Sequence, residues 1–216
     1  MVSMNRYGTV LVTGGTCRIG KAISETLRAE GWRVVTSSHR QDAGADIVAD
    51  LSSPSGATGL YAAALAAAPD LRAIVNNAAI FDGDPAMLEA VNLVSPHKLT
   101  ILLAGRENVK CAVVNILDSR TLGPASPDDS AYVRTKRGLL ECTRKCAAMF
   151  AQTLRVNAVA PGPVLPPEGK REPAGEMLLD RRPTPEDVAS AVAYLLEAEA
   201  VTGVVLPVDA GQHLLC

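Results

Sequence analysis

Residues 9–21 read TVLVTGGTCRIGK, and no other stretch narrows so far what this chain can fold into: an apolar strand, a tight glycine turn, then a helix. Val10, Leu11 and Val12 are apolar and β-favouring without alternation, which suits a strand buried on both faces of a parallel sheet. Gly14 and Gly15 permit positive φ and close backbone approach, and Gly20 lets the helix pack near the strand. N–H groups left free at such a helix start make a seat for phosphate. Thr16 and Ile19 lie in the same turn, and Arg18 adds a fixed cation. An ordinary strand–turn–helix connection also favours glycine; the place after a strand and before a helix is what turns the pattern toward a dinucleotide.

The 216 residues fit one substantial core, so a single domain over 1–216 is the natural size class. Lys and Arg total 21 against 23 Asp and Glu, a formal net charge of -2 with no long run of either sign. That balance points away from nucleic acid and anionic membranes and leaves a small molecule as the expected partner. Asp, Arg, Lys or Pro interrupts every apolar stretch before the ~20 residues a membrane span needs. The opening MVSMNRYG carries no signal-peptide core. Cys17, Cys111, Cys142, Cys146 and Cys216 lack zinc-ribbon and CxxC spacing, so free thiols in a reducing cytoplasm are expected. No metal is expected either, because Cys142 and Cys146 supply only two ligands and suit core packing.

Strands and helices then alternate. Apolar residues at helical spacing from Arg18 to Glu30 stop at Gly31, and WRVVT (32–36) is a second strand running into Ser37, Ser38, His39 and Arg40. A carboxylate at that strand end would take the ribose hydroxyls of NAD, whereas hydroxyls and a cation suit the extra phosphate of NADP. NADPH is therefore the expected cofactor, against the plainer reading of His39 and Arg40 as solvated loop residues. A third short strand over 45–51 ends at Asp50 and Leu51, placed for the adenine. A helix from Leu60 to Ala68 and a fourth strand from Leu71 to Val75 lead to Asn76, Asn77, Ala78, Ala79, Ile80 and Phe81. Asparagines at the carboxyl end of a buried strand are costly unless their amides are used, and ligands bind at that edge of open α/β sheets.

A long helix from Pro85 to Arg106 is expected to bend at Pro96 and to carry Asn92 at an exposed position. CAVVNIL (111–117) is a fifth strand, followed by Asp118 and Ser119. The helix from about Ser130 to Phe150 places Tyr132 and Lys136 on one face. LRVNAVA (154–160) is a sixth strand closed by Pro161, Gly162 and Pro163. A short substrate loop rich in Pro, Gly and charge, including Val164, spans about 163–184. Thr184 then caps a helix over Glu186–Glu197, and GVVLPV (203–208) is the last strand. The expected fold is α/β, a doubly wound parallel sheet of about seven strands with helices on both faces. Its strand ends gather Gly14 to Gly20, His39, Arg40, Asn77, Asp118 and Pro161 along one edge.

TGGTCRIG, NNAA, Tyr132-Val-Arg-Thr-Lys136 and Pro161-Gly162, set among VNILDS and RVNAVAPG, together resemble the short-chain dehydrogenase/reductase family over essentially the whole chain. The resemblance implies a Rossmann-type fold with Tyr132 as proton donor. It implies that Lys136 lowers the tyrosine pKa and holds the nicotinamide ribose, and that Asn92 ties a water chain to the lysine. A phenol near pKa ~10 is a poor acid–base catalyst at neutral pH until a nearby cation favours its ionised form. A homo-oligomer, dimer or tetramer, formed through the two long helices is also implied.

Within the family, Arg18 stands where many members have a middle glycine. With the His39–Arg40 pair, Phe81 in NNAAIF, Asp118 in VNILD and the run VNAVAPGPVLPPEG, it most resembles the pteridine reductases. That likeness implies an NADPH-dependent reductase passing a hydride to a C=N bond of a dihydropteridine or dihydrofolate-like ring. Asp118 and Tyr132 would protonate the ring, with Arg18 and Phe81 positioning it. Ala79 departs from the branch by replacing a serine beside the cofactor. Ser119, 13 positions before Tyr132, has the usual family separation, whereas Asp118 lies 14 before it. Two alternatives stay open: a short-chain carbonyl reductase or alcohol dehydrogenase using Ser119, and a non-catalytic NADP-binding protein of the same fold.

Overall fold

The computed structural model describes residues 7–166 and 176–215. Seven strands form one parallel sheet: β1 (Thr9–Thr13), β2 (Arg33–Ser38), β3 (Ile47–Val48), β4 (Leu71–Asn76), β5 (Cys111–Ile116), β6 (Leu154–Pro161) and β7 (Val205–Val208). Their order is β3-β2-β1-β4-β5-β6-β7, so the chain steps outward from β1 to one edge and then returns across it to the other. The reversal between β1 and β4 opens a crevice at the carboxyl ends of these two strands, where doubly wound sheets take their ligands.

The unalternating apolar run in β1 has a direct structural reason. Val10 and Val12 pack on one side with Ala22, Ile23 and Leu27 of α1 (Arg18–Ala29) and Val188 and Val192 of α6 (Pro185–Glu197). Leu11 packs on the other, with residues of α2 (Gly56–Ala67), α4 (Ser95–Ala104) and α5 (Ala131–Met149), including Leu60, Leu99, Leu103 and Cys146. Each fully buried aliphatic side chain contributes about 1.5–3 kcal/mol relative to exposure. Thr184 caps α6 through a reciprocal pair of bonds with Asp187, and Pro185 occupies its first turn. Among the described residues no helix is long and apolar enough to cross a membrane.

Several local expectations are corrected. The third strand is only two residues long. The Asp46 carboxylate takes the Thr36 backbone N–H at 2.8 Å and its hydroxyl at 2.7 Å, displacing strand pairing there. α2 starts at Gly56 rather than Leu60, because burial of Ala57 and Leu60 outweighs the weak helix propensity of Gly56, Thr58 and Gly59.

The expected long helix is not one continuous α-helix through Pro96. Between α3 (Pro85–Glu89) and α4 it widens into a π-helical turn at Ala90–Val94, where the Ser95 N–H reaches back five residues to the Ala90 carbonyl. Pro96 lacks the N–H that a regular helix would give to the Asn92 carbonyl, and the wide turn just ahead of it absorbs the mismatch. Asn92 is fully buried rather than exposed. Its amide donates to the Ile80 carbonyl at 2.8 Å while its oxygen accepts the Ile80 N–H at 2.9 Å, fastening this helix to the segment after β4.

Candidate active site

The turn after β1 is built so that no side chain fills it. Gly14 has φ +61°, and a Cβ on Gly20 would sit 2.0 Å from the Gly14 carbonyl oxygen. The Asn77 amide donates to the Thr13 and Gly14 carbonyls at 3.0 and 3.1 Å, and the Thr13 hydroxyl accepts the N–H groups of Asn77 and Ala78. No side chain caps the start of α1, and its first turn carries no acid, in contrast to the capped starts of α3, α5 and α6. Thr16 is half-buried and Ile19 packs against the core. Arg18 has φ +51°, a left-handed conformation rare outside glycine, and its guanidinium donates to the Pro166 carbonyl at 2.5 Å. It thus ties the turn to the chain beyond β6. The rest of the expected substrate loop, residues 167–175, lies outside the described residues.

At the end of β2, the Ser38 hydroxyl accepts the Arg40 N–H at 3.1 Å, and His39 is exposed beside it. The Arg40 guanidinium spans both oxygens of Asp42, at 3.1 and 2.9 Å, and that bond holds the Asp42 carboxyl below its usual range. Asp50 is likewise lowered, by the hydroxyl and N–H of Ser52, while neighbouring Leu51 is buried and its carbonyl accepts from Ser95. Pro161 ends β6 opposite Val208, Gly162 lies against Asp209, and Val164 packs into the core beside α1.

Tyr132 and Lys136, one turn apart on α5, are both buried. The Phe81 ring stacks on the Tyr132 ring with centroids 4.6 Å apart and planes 27° apart. The Asp118 carboxylate lies close enough to Tyr132 for its charge to act on the phenol, while both of its oxygens are bonded to Arg120. Ser119 faces elsewhere: its hydroxyl donates to Gln212 Oε1 at 3.1 Å. Lys136 Nζ donates to the Ile116 carbonyl at 2.7 Å and lies 5.8 Å from the Tyr132 ring centroid. Burial pulls the lysine pKa down to about 8, against an upward pull from Asp118.

Burial first and the Asp118 charge second push the phenol well above its usual range, and the cation opposing them is Arg120, 5.4 Å from the ring centroid. Sequence reading passed over Arg120 and also Arg137. The Arg137 guanidinium takes the carbonyls of Arg120, Thr121, Gly123 and Pro124 and the Asp129 carboxylate, clamping the segment after β5 onto α5. A cation two residues after Asp118 and another directly after Lys136 were the available signals.

A family model described as Enoyl-(Acyl carrier protein) reductase, of the short-chain type, matches residues 16–213. The chain belongs to the short-chain dehydrogenase/reductase family. Members of this family are NAD(P)-dependent oxidoreductases. Similar short-chain enzymes include glucose 1-dehydrogenase 2 of Bacillus subtilis, 31% identical over 95% of both chains. Dihydromonapterin reductase of Escherichia coli is 28% identical, covering 95% of this chain and 96% of its own. The alternative dihydrofolate reductase FolM of Brucella canis, solved with NADP, superposes with a TM-score of 0.84 at 32% identity. The match covers 98% of this chain and 96% of that one.

Proposed function

We propose that this short-chain reductase uses NADPH to reduce a C=N bond of a dihydropteridine or dihydrofolate-like ring. The observation that carries the reading is the Phe81 ring stacked on Tyr132, with the Asp118 carboxylate brought beside that ring through Arg120, which binds both its oxygens and lies 5.4 Å from the ring centroid. A carboxylate there, with an aromatic ring at the mouth, suits a flat, polar, nitrogen-containing substrate better than a simple ketone. The similarity to dihydromonapterin reductase and to FolM supports the same choice.

The residues present fit the dinucleotide. The side-chain-free cradle at Gly14 and Gly20 and the uncapped start of α1 suit its pyrophosphate, with Thr16, Arg18, Ile19, Asn77 and Ala78 around it. Ser38, His39 and Arg40 would take the 2′-phosphate, and Asp50 and Leu51 the adenine. Tyr132, Lys136, Pro161, Gly162 and Val164 would line the nicotinamide end. The bound nicotinamide supplies the hydride. Tyr132 gives its proton to the ring nitrogen, and the stacked Phe81 and the Arg18 guanidinium orient the ring for near-contact transfer. Asn92 holds the helix and the Ile80–Phe81 backbone in place. We further infer a cytoplasmic homo-oligomer, dimer or tetramer, from exposed Val94, Ile101 and Met149 along the two long helices.

Purified protein with NADPH is tested on dihydrobiopterin, dihydromonapterin and dihydrofolate, with simple ketones alongside. Oxidation of NADPH by the pterins is expected, with kcat falling by about 10²–10⁴-fold in Tyr132→Phe. Turnover of ketones alone would sink the substrate assignment.

A further inference from the structure

Arg120 has no chemical step in the reading above, yet it is bound to the group that reading depends on. Its backbone N–H and Nε both donate to Asp118 Oδ1, at 3.0 and 2.9 Å, and Nη2 donates to Oδ2 at 2.9 Å. Both carboxylate oxygens are committed to it, and the same guanidinium lies over the Tyr132 ring. The segment carrying the pair is itself fixed by Arg137, so Asp118 and Arg120 are held as a unit against α5.

Among the described residues, the charges facing the phenol come from two elements. Asp118 and Arg120 come from the segment after β5 and Lys136 from α5, while the Phe81 ring after β4 is uncharged. Asp129, ahead of α5, is paired with Arg137 at 2.7 Å. When the buried phenol gives up its proton, a second negative charge forms beside Asp118, and in such a site the two oppose each other strongly. Lys136 is committed elsewhere, its Nζ donating to the Ile116 carbonyl at 2.7 Å and standing 5.8 Å from the Tyr132 ring centroid. An arginine keeps its charge at any working pH.

We propose that Arg120 is a positioning residue for proton transfer: it fixes the Asp118 carboxylate beside Tyr132 and supplies the lasting positive charge that offsets the phenolate. The inference rests on the reductase reading. In the balanced step the substrate carbon gains a hydride and its nitrogen gains the Tyr132 proton, leaving an oxidised nicotinamide and a phenolate that solvent reprotonates.

The test compares Arg120→Met and Arg120→Lys with the unaltered protein, all with NADP bound and with tyrosine labelled by 13C at Cζ. The Tyr132 signal, assigned by its loss in Tyr132→Phe, needs no substrate. It is expected to hold steady between about pH 5 and about pH 8 in the unaltered protein and in Arg120→Lys, and to titrate in Arg120→Met as a proton enters the Asp118–Tyr132 pair. With dihydrobiopterin, kcat in Arg120→Met should fall roughly tenfold to a hundredfold while KM for NADPH stays within about twofold, and Arg120→Lys should recover most of the loss. A steady Tyr132 signal in Arg120→Met overturns the proposal, as does an unchanged kcat. If the unaltered protein reduces no pterin, the substrate reading fails and the Tyr132 signal alone decides the role of Arg120.

Discussion

Asp118 and Ser119 are neighbours in sequence with different partners: the Asp118 carboxylate is held by Arg120, whose guanidinium lies over the Tyr132 ring, and the Ser119 hydroxyl donates to Gln212. Ser119→Ala should therefore leave kcat within about threefold and cost about 1 kcal/mol of stability through the lost hydrogen bond. Asp118→Asn should lower kcat at least roughly tenfold, since it removes the charge beside the proton donor. Steady-state NADPH oxidation with a dihydropteridine measures both, and the reverse pattern would restore the ketone alternative.

Gly20→Ala should abolish cofactor binding before it unfolds the protein. The added Cβ would sit 2.0 Å from the Gly14 carbonyl and 2.5 Å from the Asn77 amide, so the turn must open. Overpacking of this kind costs about 1–3 kcal/mol. Thermal melts should show a modest loss of stability, and titration with NADPH no upward shift. A normal NADPH-induced shift would argue against the turn as the pyrophosphate seat.

Arg40 and Asp42 hold one another on the surface, and any phosphate reaching Arg40 must compete with that carboxylate. Asp42→Asn is expected to tighten NADPH binding by roughly twofold to fivefold, the range of an exposed ion pair, and to leave NADH unchanged. Arg40→Asp should weaken NADPH far more than NADH. Dissociation constants for the two nucleotides settle the matter, and equal effects on both would remove Arg40 from the 2′-phosphate site.

Lys136 should leave a signature in the pH dependence of stability. Its pKa falls from 10.5 to about 8 on folding, chiefly through burial, so between those values the folded chain binds fewer protons than the unfolded one. Stability from this group therefore rises as pH increases from about 8 to about 10.5. Lys136→Met removes the rise. The difference in Tm, unaltered protein minus variant, should become more positive across that window. A flat difference would mean that the lysine is not buried as a strained charge.

The fold was legible because its signals are local and repeated. The apolar run in β1, the glycines after it and the strand–helix alternation each recur at a length that only a parallel sheet accommodates. The Asp118 or Ser119 question was not legible, since adjacent residues on a turn point wherever the backbone sends them, and the Ser119–Gln212 contact joins positions 93 apart. Asn92 was misjudged for a related reason. Its polarity predicts exposure, but its partners are the backbone groups of Ile80, brought to it only when the fold closes. Arg120 and Arg137 carry no sequence signal beyond their charge and position, because the carbonyls and carboxylates they gather come together only in the fold.

One residue sets folding against work. Arg18 sits at φ +51°, where a side chain costs roughly 1–2 kcal/mol that glycine avoids. Arg18→Gly is thus the substitution that a search for thermostable variants would choose early, and it would release the Pro166 carbonyl and the cation at the mouth of the site together. If Arg18 orients the ring as proposed, robustness and turnover pull in opposite directions at that position, and variants selected by melting temperature alone should drift toward a better-folded protein with weaker substrate binding.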